Sequence, residues 1–195
     1  MKVKLVGRLA FPDAFVAKQY QGQGPYSYRA TVLIPKDDPQ IAEIDKLIIA
    51  VAKEKWPAKY AEHLKRIKSE PNKYFKGDGD LKDYNGYAGN WAFSCTRNQD
   101  DGKPLVVDRK KQLITADSGL IYSGANVVVI GDIWVQDNAF GRAIRCALGA
   151  IQFHSHNDSF GGAAAPTTDG LDDLGDDEDI VDEADYAGED DDDLA

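Results

Sequence analysis

Polar and apolar residues alternate at both ends of the first 157 positions, and a helical period appears only between them. Met1-Lys2-Val3-Lys4-Leu5 alternates from the outset, so residues 2–11 are predicted as a first strand. Residues 12–25 carry Gly22, Gly24 and Pro25 and are expected to form a loop. From Tyr26 to Ile34 the alternation is regular. Tyr28, Ala30, Val32 and Ile34 fall on one face, Arg29 and Thr31 on the other. Asp38-Pro39 then supplies an N-cap and a proline at the first helical position. Ile41, Ile44, Leu47, Ile48 and Val51 follow at helical spacing. Pro57 interrupts this helix. A second helix groups Tyr60, Leu64 and Ile67, with Lys59, Lys65, Arg66 and Lys68 around them.

Residues 69–90 are rich in Gly, Asp, Asn, Lys and Tyr and poor in aliphatic side chains. They read as a long ordered loop, which in a compact domain is usually functional. Strands resume at Trp91–Arg97, where Trp91, Phe93 and Cys95 alternate with Ala92, Ser94 and Thr96, and Trp91 is expected in the core. Asp100-Asp101-Gly102 signals a turn. Leu105–Asp108 and Gln112–Thr115 are short extended pieces. Val127–Val135 and Ala143–Phe153 are strong strands joined through Asn138–Gly141 as a hairpin. Five or more strands without a βαβ rhythm indicate a mostly antiparallel barrel or sandwich. After His156 the pattern stops. Gly161-Gly162-Ala163-Ala164-Ala165-Pro166 reads as a linker, and 167–195 as disordered. The chain therefore divides into a folded domain, 1–157, and a tail, 158–195.

Charge sharpens that division. The last 38 residues hold 16 Asp or Glu and no Lys or Arg, leaving 23 basic against 17 acidic residues in the first 157. The net charge of −10 thus combines a body of +6 with a tail of −16. A basic body suits a polyanion, and an acidic tail imitates one. No stretch approaches the ~20 apolar residues of a membrane span, and the opening segment reads as a strand rather than a signal peptide. Cys95 and Cys146 could pair. In the reducing cytoplasm expected here they are read as two buried thiols.

Catalytic signatures are missing. His154-Ser155-His156 could chelate a metal, since i and i+2 share a strand face, but no Cys or further His lies nearby. Gly77-Asp78-Gly79-Asp80 with Asp83 lacks the spacing and terminal Glu of a calcium-binding EF-hand. No phosphate-binding glycine loop with its Lys and no nucleophile elbow occur. The chain is therefore read as a non-enzyme without cofactor or metal. What stands out is a run of alternating basic and aromatic residues: Lys73, Tyr74, Phe75, Lys76, Lys82, Tyr84, Tyr87 and Trp91. Rings stack on unpaired bases and lysines neutralise phosphates, so this combination points to single strands. Arg29, Arg97, Arg109 and Lys110, with Lys111, could extend the positive track. The competing readings are an acidic-tailed interaction protein or chaperone for basic proteins, and a metal-dependent enzyme using Asp78, Asp80 and Asp83.

The order of features along the chain resembles phage-encoded single-stranded-DNA-binding proteins with an oligonucleotide/oligosaccharide-binding (OB) fold. The resemblance rests on the opening strand, Tyr26-Ser27-Tyr28-Arg29-Ala30-Thr31-Val32-Leu33-Ile34-Pro35 and the helix after it, and Gly77-Asp78-Gly79-Asp80. Pro104-Leu105-Val106-Val107-Asp108, Ile121-Tyr122-Ser123-Gly124, Gly149-Ala150-Ile151-Gln152-Phe153 and the acidic tail complete it. It implies a five-stranded antiparallel OB barrel with an inserted helical segment. It also implies stoichiometric coating of single-stranded DNA in phage replication and recombination, and tail-mediated contacts with replication proteins. An exposed barrel edge would allow a homodimer. Many such tails end in an aromatic residue, whereas this one ends Asp193-Leu194-Ala195, with Phe160 and Tyr186 its only rings.

Overall fold

The computed structural model describes residues 1–70 and 72–161. Seven strands and two helices follow in the order β1 (Lys2–Tyr20), β2 (Gln23–Pro35), α1 (Gln40–Lys55), α2 (Tyr60–Ser69), β3 (Lys76–Asp78), β4 (Asn90–Asn98), β5 (Leu105–Val107), β6 (Asn126–Asn138) and β7 (Gly141–Ser155). Five strands close a barrel in the order β4-β2-β1-β6-β7, and β7 returns to β4. Four seams are antiparallel. The closing seam is parallel and consists of one pair, Thr96 with Ala147. This is the OB barrel expected from the sequence. β3 extends the sheet beside β4, and β5 runs parallel to β7.

The alternation of each strand explains the core. Leu5, Leu9, Val32, Ile34, Phe93, Val127, Val129, Ile133, Ile144, Leu148 and Ile151 all point into the barrel. Gly131 is required inside it, because a Cβ there would lie 2.5 Å from the Cys146 Sγ. The inserted helices pack against β1, β6 and β7. α1 contributes Ile41, Ile44, Ile48, Val51 and Ala52 to the same core, and α2 contributes Leu64 and Ile67. Asp38 starts α1 through its carboxylate, which accepts from the Gln40 amide at 2.9 Å, and through its carbonyl, which accepts from the Ile41 amide at 3.0 Å.

Two expectations are corrected. Residues 12–25 are not a loop: β1 and β2 pair almost to their junction, ending in Tyr20 opposite Gln23. The turn residues Gln21 and Gly22 have φ of 50° and 72°, the conformation that a two-residue hairpin needs to match strand twist. Gly22, Gly24 and Pro25 read as loop because they mark the hairpin turn, while Ala14, Phe15 and Ala17 before it still pack on the core. Trp91 is only half-buried: it packs against the edge of the core, and its ring also lines a surface pocket. The expected acidic tail, from residue 162 onward, lies outside the described residues.

Candidate nucleic-acid interface

The two-residue period that fills the barrel also builds a face outside it. On β2, Ser27, Arg29, Thr31 and Leu33 alternate with the core residues. On β4, Ala92, Ser94, Thr96 and Asn98 do the same. The register places Arg29 against Thr96, Thr31 against Ser94 and Leu33 against Ala92. The Thr31 and Ser94 hydroxyls lie 3.3 Å apart. The centre of this face therefore carries small polar side chains, a floor on which a flat base can lie close to the sheet.

Rings stand at both ends of the floor. At one end the β1–β2 register slips between Ala10 and Asp13, and Phe11, at φ 48°, turns outward in the bulge. Its ring meets Tyr84 edge-on at 5.1 Å and Tyr87 at 6.1 Å, while Tyr84 and Tyr87 are 5.4 Å apart. Phe11 and Tyr84 are 54% and 55% exposed, whereas Tyr87 is buried over Ala10, Leu33 and Ala92. Burial pushes the Tyr87 hydroxyl up to about 12, against a hydrogen bond with Thr31 that pulls it down. At the other end the Arg29 guanidinium lies 5.2 Å over the exposed Tyr20 ring, and its Nε donates to the Ser27 Oγ.

The loop that presents Tyr84 is held by a lysine between two aspartates. Lys36 Nζ lies 2.5 Å from both the Asp78 and Asp80 carboxylates. Asp80 also accepts from the Gly89 amide at 2.6 Å, and Asp78 accepts from the Asp80 amide at 3.0 Å. These bonds raise the Lys36 pKa and lower that of Asp80. Asp78 and Asp80 thus fix the loop's path. Among the described residues no group of three or more His, Cys, Asp or Glu could hold a metal ion.

The sequence-predicted residues separate into several places. Arg29, Tyr84 and Tyr87 belong to the face, and Lys82 is exposed on the same loop as Tyr84. Phe75 is core, packed on Phe93 at 5.9 Å. Lys76 is also buried: its Nζ bonds both Asp45 carboxylate oxygens, at 2.7 and 2.9 Å, and lies 4.5 Å over the Trp91 ring. Trp91 and Tyr74 line a separate pocket with Asp45, Lys68 and Lys82. Burial, aided by Asp45, pushes the Tyr74 hydroxyl well above its ordinary value. Lys73 Nζ donates to the Phe140 carbonyl and steadies the β6–β7 turn. Arg97 is turned onto the Asp101 and Gly102 carbonyls. Arg109 and Lys110 are exposed on the turn after β5, beside β7, where the Lys110 amide donates to the Asp108 carboxylate. The sequence reading omitted Phe11 and Tyr20. An aromatic on each side of the hairpin turn, in a ribbon with few other large residues, was the available signal.

A closed five-stranded barrel with a helical insertion, its outer β2–β4 face flanked by rings and an arginine, is an OB fold. The family model of the Enterobacter phage Enc34 ssDNA-binding protein matches residues 1–181, and the chain belongs to this family. Protein p50 of Acyrthosiphon pisum secondary endosymbiont phage 1 is 39% identical over 177 residues, spanning 89% of this chain and 94% of p50. The structure of the single-stranded DNA-binding protein from bacteriophage Enc34 is similar at 26% identity and a TM-score of 0.63, covering 88% of this chain and 89% of that one. The same protein in complex with ssDNA shares the fold at 24% identity and a TM-score of 0.66, over 82% and 88% of the two chains. Gp2.5, a single-stranded DNA-binding protein encoded by bacteriophage T7, shares the fold at 17% identity and a TM-score of 0.55, over 92% and 99%.

Proposed function

We propose that this protein binds single-stranded DNA without sequence preference, as a coating protein in phage DNA replication and recombination. The observation that carries the reading is the outer β2–β4 face, with a polar floor between Phe11–Tyr84 and Arg29–Tyr20. Bases stack on the exposed rings, phosphates run past Arg29 and past Lys18, which lies opposite Ser27 on β1, and small side chains let the strand lie close. The hydroxyls of Thr31, Ser94 and Thr96 can turn to donate or accept, and stacking takes any base, which suits sequence-independent binding. Family membership supports the same reading.

The folded domain, 1–157, carries this activity, and the acidic tail, 158–195, competes for the face and recruits replication proteins. The −16 charge of the tail supports both roles. A tethered polyanion competes at high effective concentration, and it becomes available to partners when DNA fills the face. Titration with labelled single-stranded and duplex oligonucleotides of equal length tests the proposal. Much tighter binding to the single strand is expected, because paired bases cannot stack. Equal affinity for the two forms would overturn it.

A further inference from the structure

At the end of β7 the chain does not leave the body at once. Arg8 donates from Nε to the Gly124 carbonyl and from Nη2 to the Asp158 carbonyl. The Phe160 amide donates to the Ser123 carbonyl at 3.1 Å, and the Phe160 carbonyl accepts from Asn85 Nδ2 at 2.8 Å. These bonds place the Phe160 ring in a flat slot. One side is the Arg8 guanidinium, 4.1 Å from the ring centroid. The other is Gly86, where a Cβ would lie 2.1 Å from the ring's Cε1. Only glycine leaves room for a ring here. The slot opens onto a pocket of about 430 Å³ lined by Ala10, Phe11, Tyr84 and Tyr87. It is therefore continuous with one end of the candidate DNA face.

We propose that this slot is a nucleobase site that Phe160 occupies while the protein is free, and that a base of the bound strand displaces the ring. The inference rests on the single-stranded-DNA reading above. A guanidinium on one side and bare backbone on the other accept any planar ring, and a base stacks on arginine as readily as phenyl does. Phe160 is a replaceable occupant. It is half-buried, it packs on a small satellite cluster rather than the barrel core, and one main-chain hydrogen bond and one from the Asn85 side chain hold it. Displacement has a direction, because the residue is attached to the acidic tail. Phosphates arriving beside Phe11 and Tyr84 repel that charge and weaken the hold on Phe160. Strand binding thereby frees the root of the tail.

The test uses the full-length protein with a para-fluorine label on Phe160, titrated with an oligothymidylate and followed by fluorine NMR. The Phe160 resonance is expected to move to a solvent-exposed position in step with binding. The variant Phe160→Ala is measured beside it at about 0.3 M salt, where the charge of the tail is largely screened. If the slot is open a tenth of the time, removing the ring raises affinity about tenfold. Arg8→Lys keeps the charge but loses the flat platform and should bind more weakly than the parent. A fluorine resonance unmoved at saturation overturns the proposal, as does a Phe160→Ala gain that appears only at low salt. Those outcomes leave the DNA-binding reading intact. Failure of the parent protein to bind the oligonucleotide at all overturns both.

Discussion

At the scale of single residues, exposure decides what a substitution does. Tyr84→Ala should cost about 1–3 kcal/mol of single-strand binding and leave thermal stability nearly unchanged, because its ring is 55% exposed. Phe75→Ala should do the opposite and destabilise the fold by about 3–5 kcal/mol, since Phe75 packs on Phe93 in the core. Melting curves and oligonucleotide titration of the two variants separate these roles. Lys76→Met should leave affinity unchanged, because its ammonium already belongs to Asp45, whereas Asp45→Ala should strand a buried charge and lower the melting temperature. Sequence could not make these distinctions. Tyr84, Phe75 and Lys76 sit in one basic–aromatic run, and only the backbone path sends one ring outward and the other into the barrel. The barrel residues were legible because strand periodicity is strict. Rings in an irregular segment have no period to follow.

Among elements, the β1–β2 ribbon and the 78–90 loop carry the two ends of the face. The ribbon turns at Gly22, where φ is 72° and a Cβ would meet nothing within 4 Å. Gly22→Val should therefore incur only the backbone cost of a left-handed β-branched residue, roughly 1–2 kcal/mol. Amide exchange should quicken along 16–26 and single-strand affinity should fall, with the barrel amides unaffected. The loop depends on the Lys36–Asp78–Asp80 clamp, which is pH-sensitive at both limits. The depressed Asp80 pKa means its contribution is present above the ordinary carboxylate value and is lost as pH falls through the lower folded value. The raised Lys36 pKa means its contribution is present below the ordinary lysine value and is lost as pH rises through the higher folded one. Exchange at the Gly89 amide, which donates to Asp80, should accelerate beyond what intrinsic chemistry predicts at both extremes, and Lys36→Ala should abolish the acid-side transition. The ribbon was missed in sequence because its register shifts at Ala10/Asp13 and Asp13/Lys18 break the strict alternation, and Gly22, Gly24 and Pro25 signal a turn. The helices were plain, since α1 keeps the helical spacing of Ile41, Ile44, Ile48 and Val51.

For the whole molecule, charge organises behaviour. If the face engages four or five phosphates, log affinity should fall against log salt with a slope of roughly −3 to −3.5. Ending the chain after Gly161 removes 15 acidic residues and no basic ones. It should raise single-strand affinity, most at low salt, and speed association, because a repulsive field has gone. Affinities of the two forms across a salt series check this, and an unchanged value at low salt would leave the tail to protein partners alone. The charge division was legible from composition. That Asp158 and Phe160 still touch the body was not, because no strand or helix pattern marks a segment held by main-chain bonds and one ring.

The parallel seam closes the barrel with a single pair, and the two thiols face each other beside it, the Cys95 Sγ donating to that of Cys146 at 3.3 Å. That bond, with burial, holds the Cys95 thiol well above its ordinary pKa, so it is unreactive while the seam is shut. The other four seams are long antiparallel ladders, β1–β2 and β6–β7 as hairpins and β1–β6 and β2–β4 between distant segments. The seam has one pair where β1–β6 has seven and β2–β4 has nine, so it is expected to be the first junction to open. The buried thiols become a clock for that event. Their labelling rate with a thiol reagent reads the opening frequency of the barrel, and a strand laid across β2 and β4 should slow it.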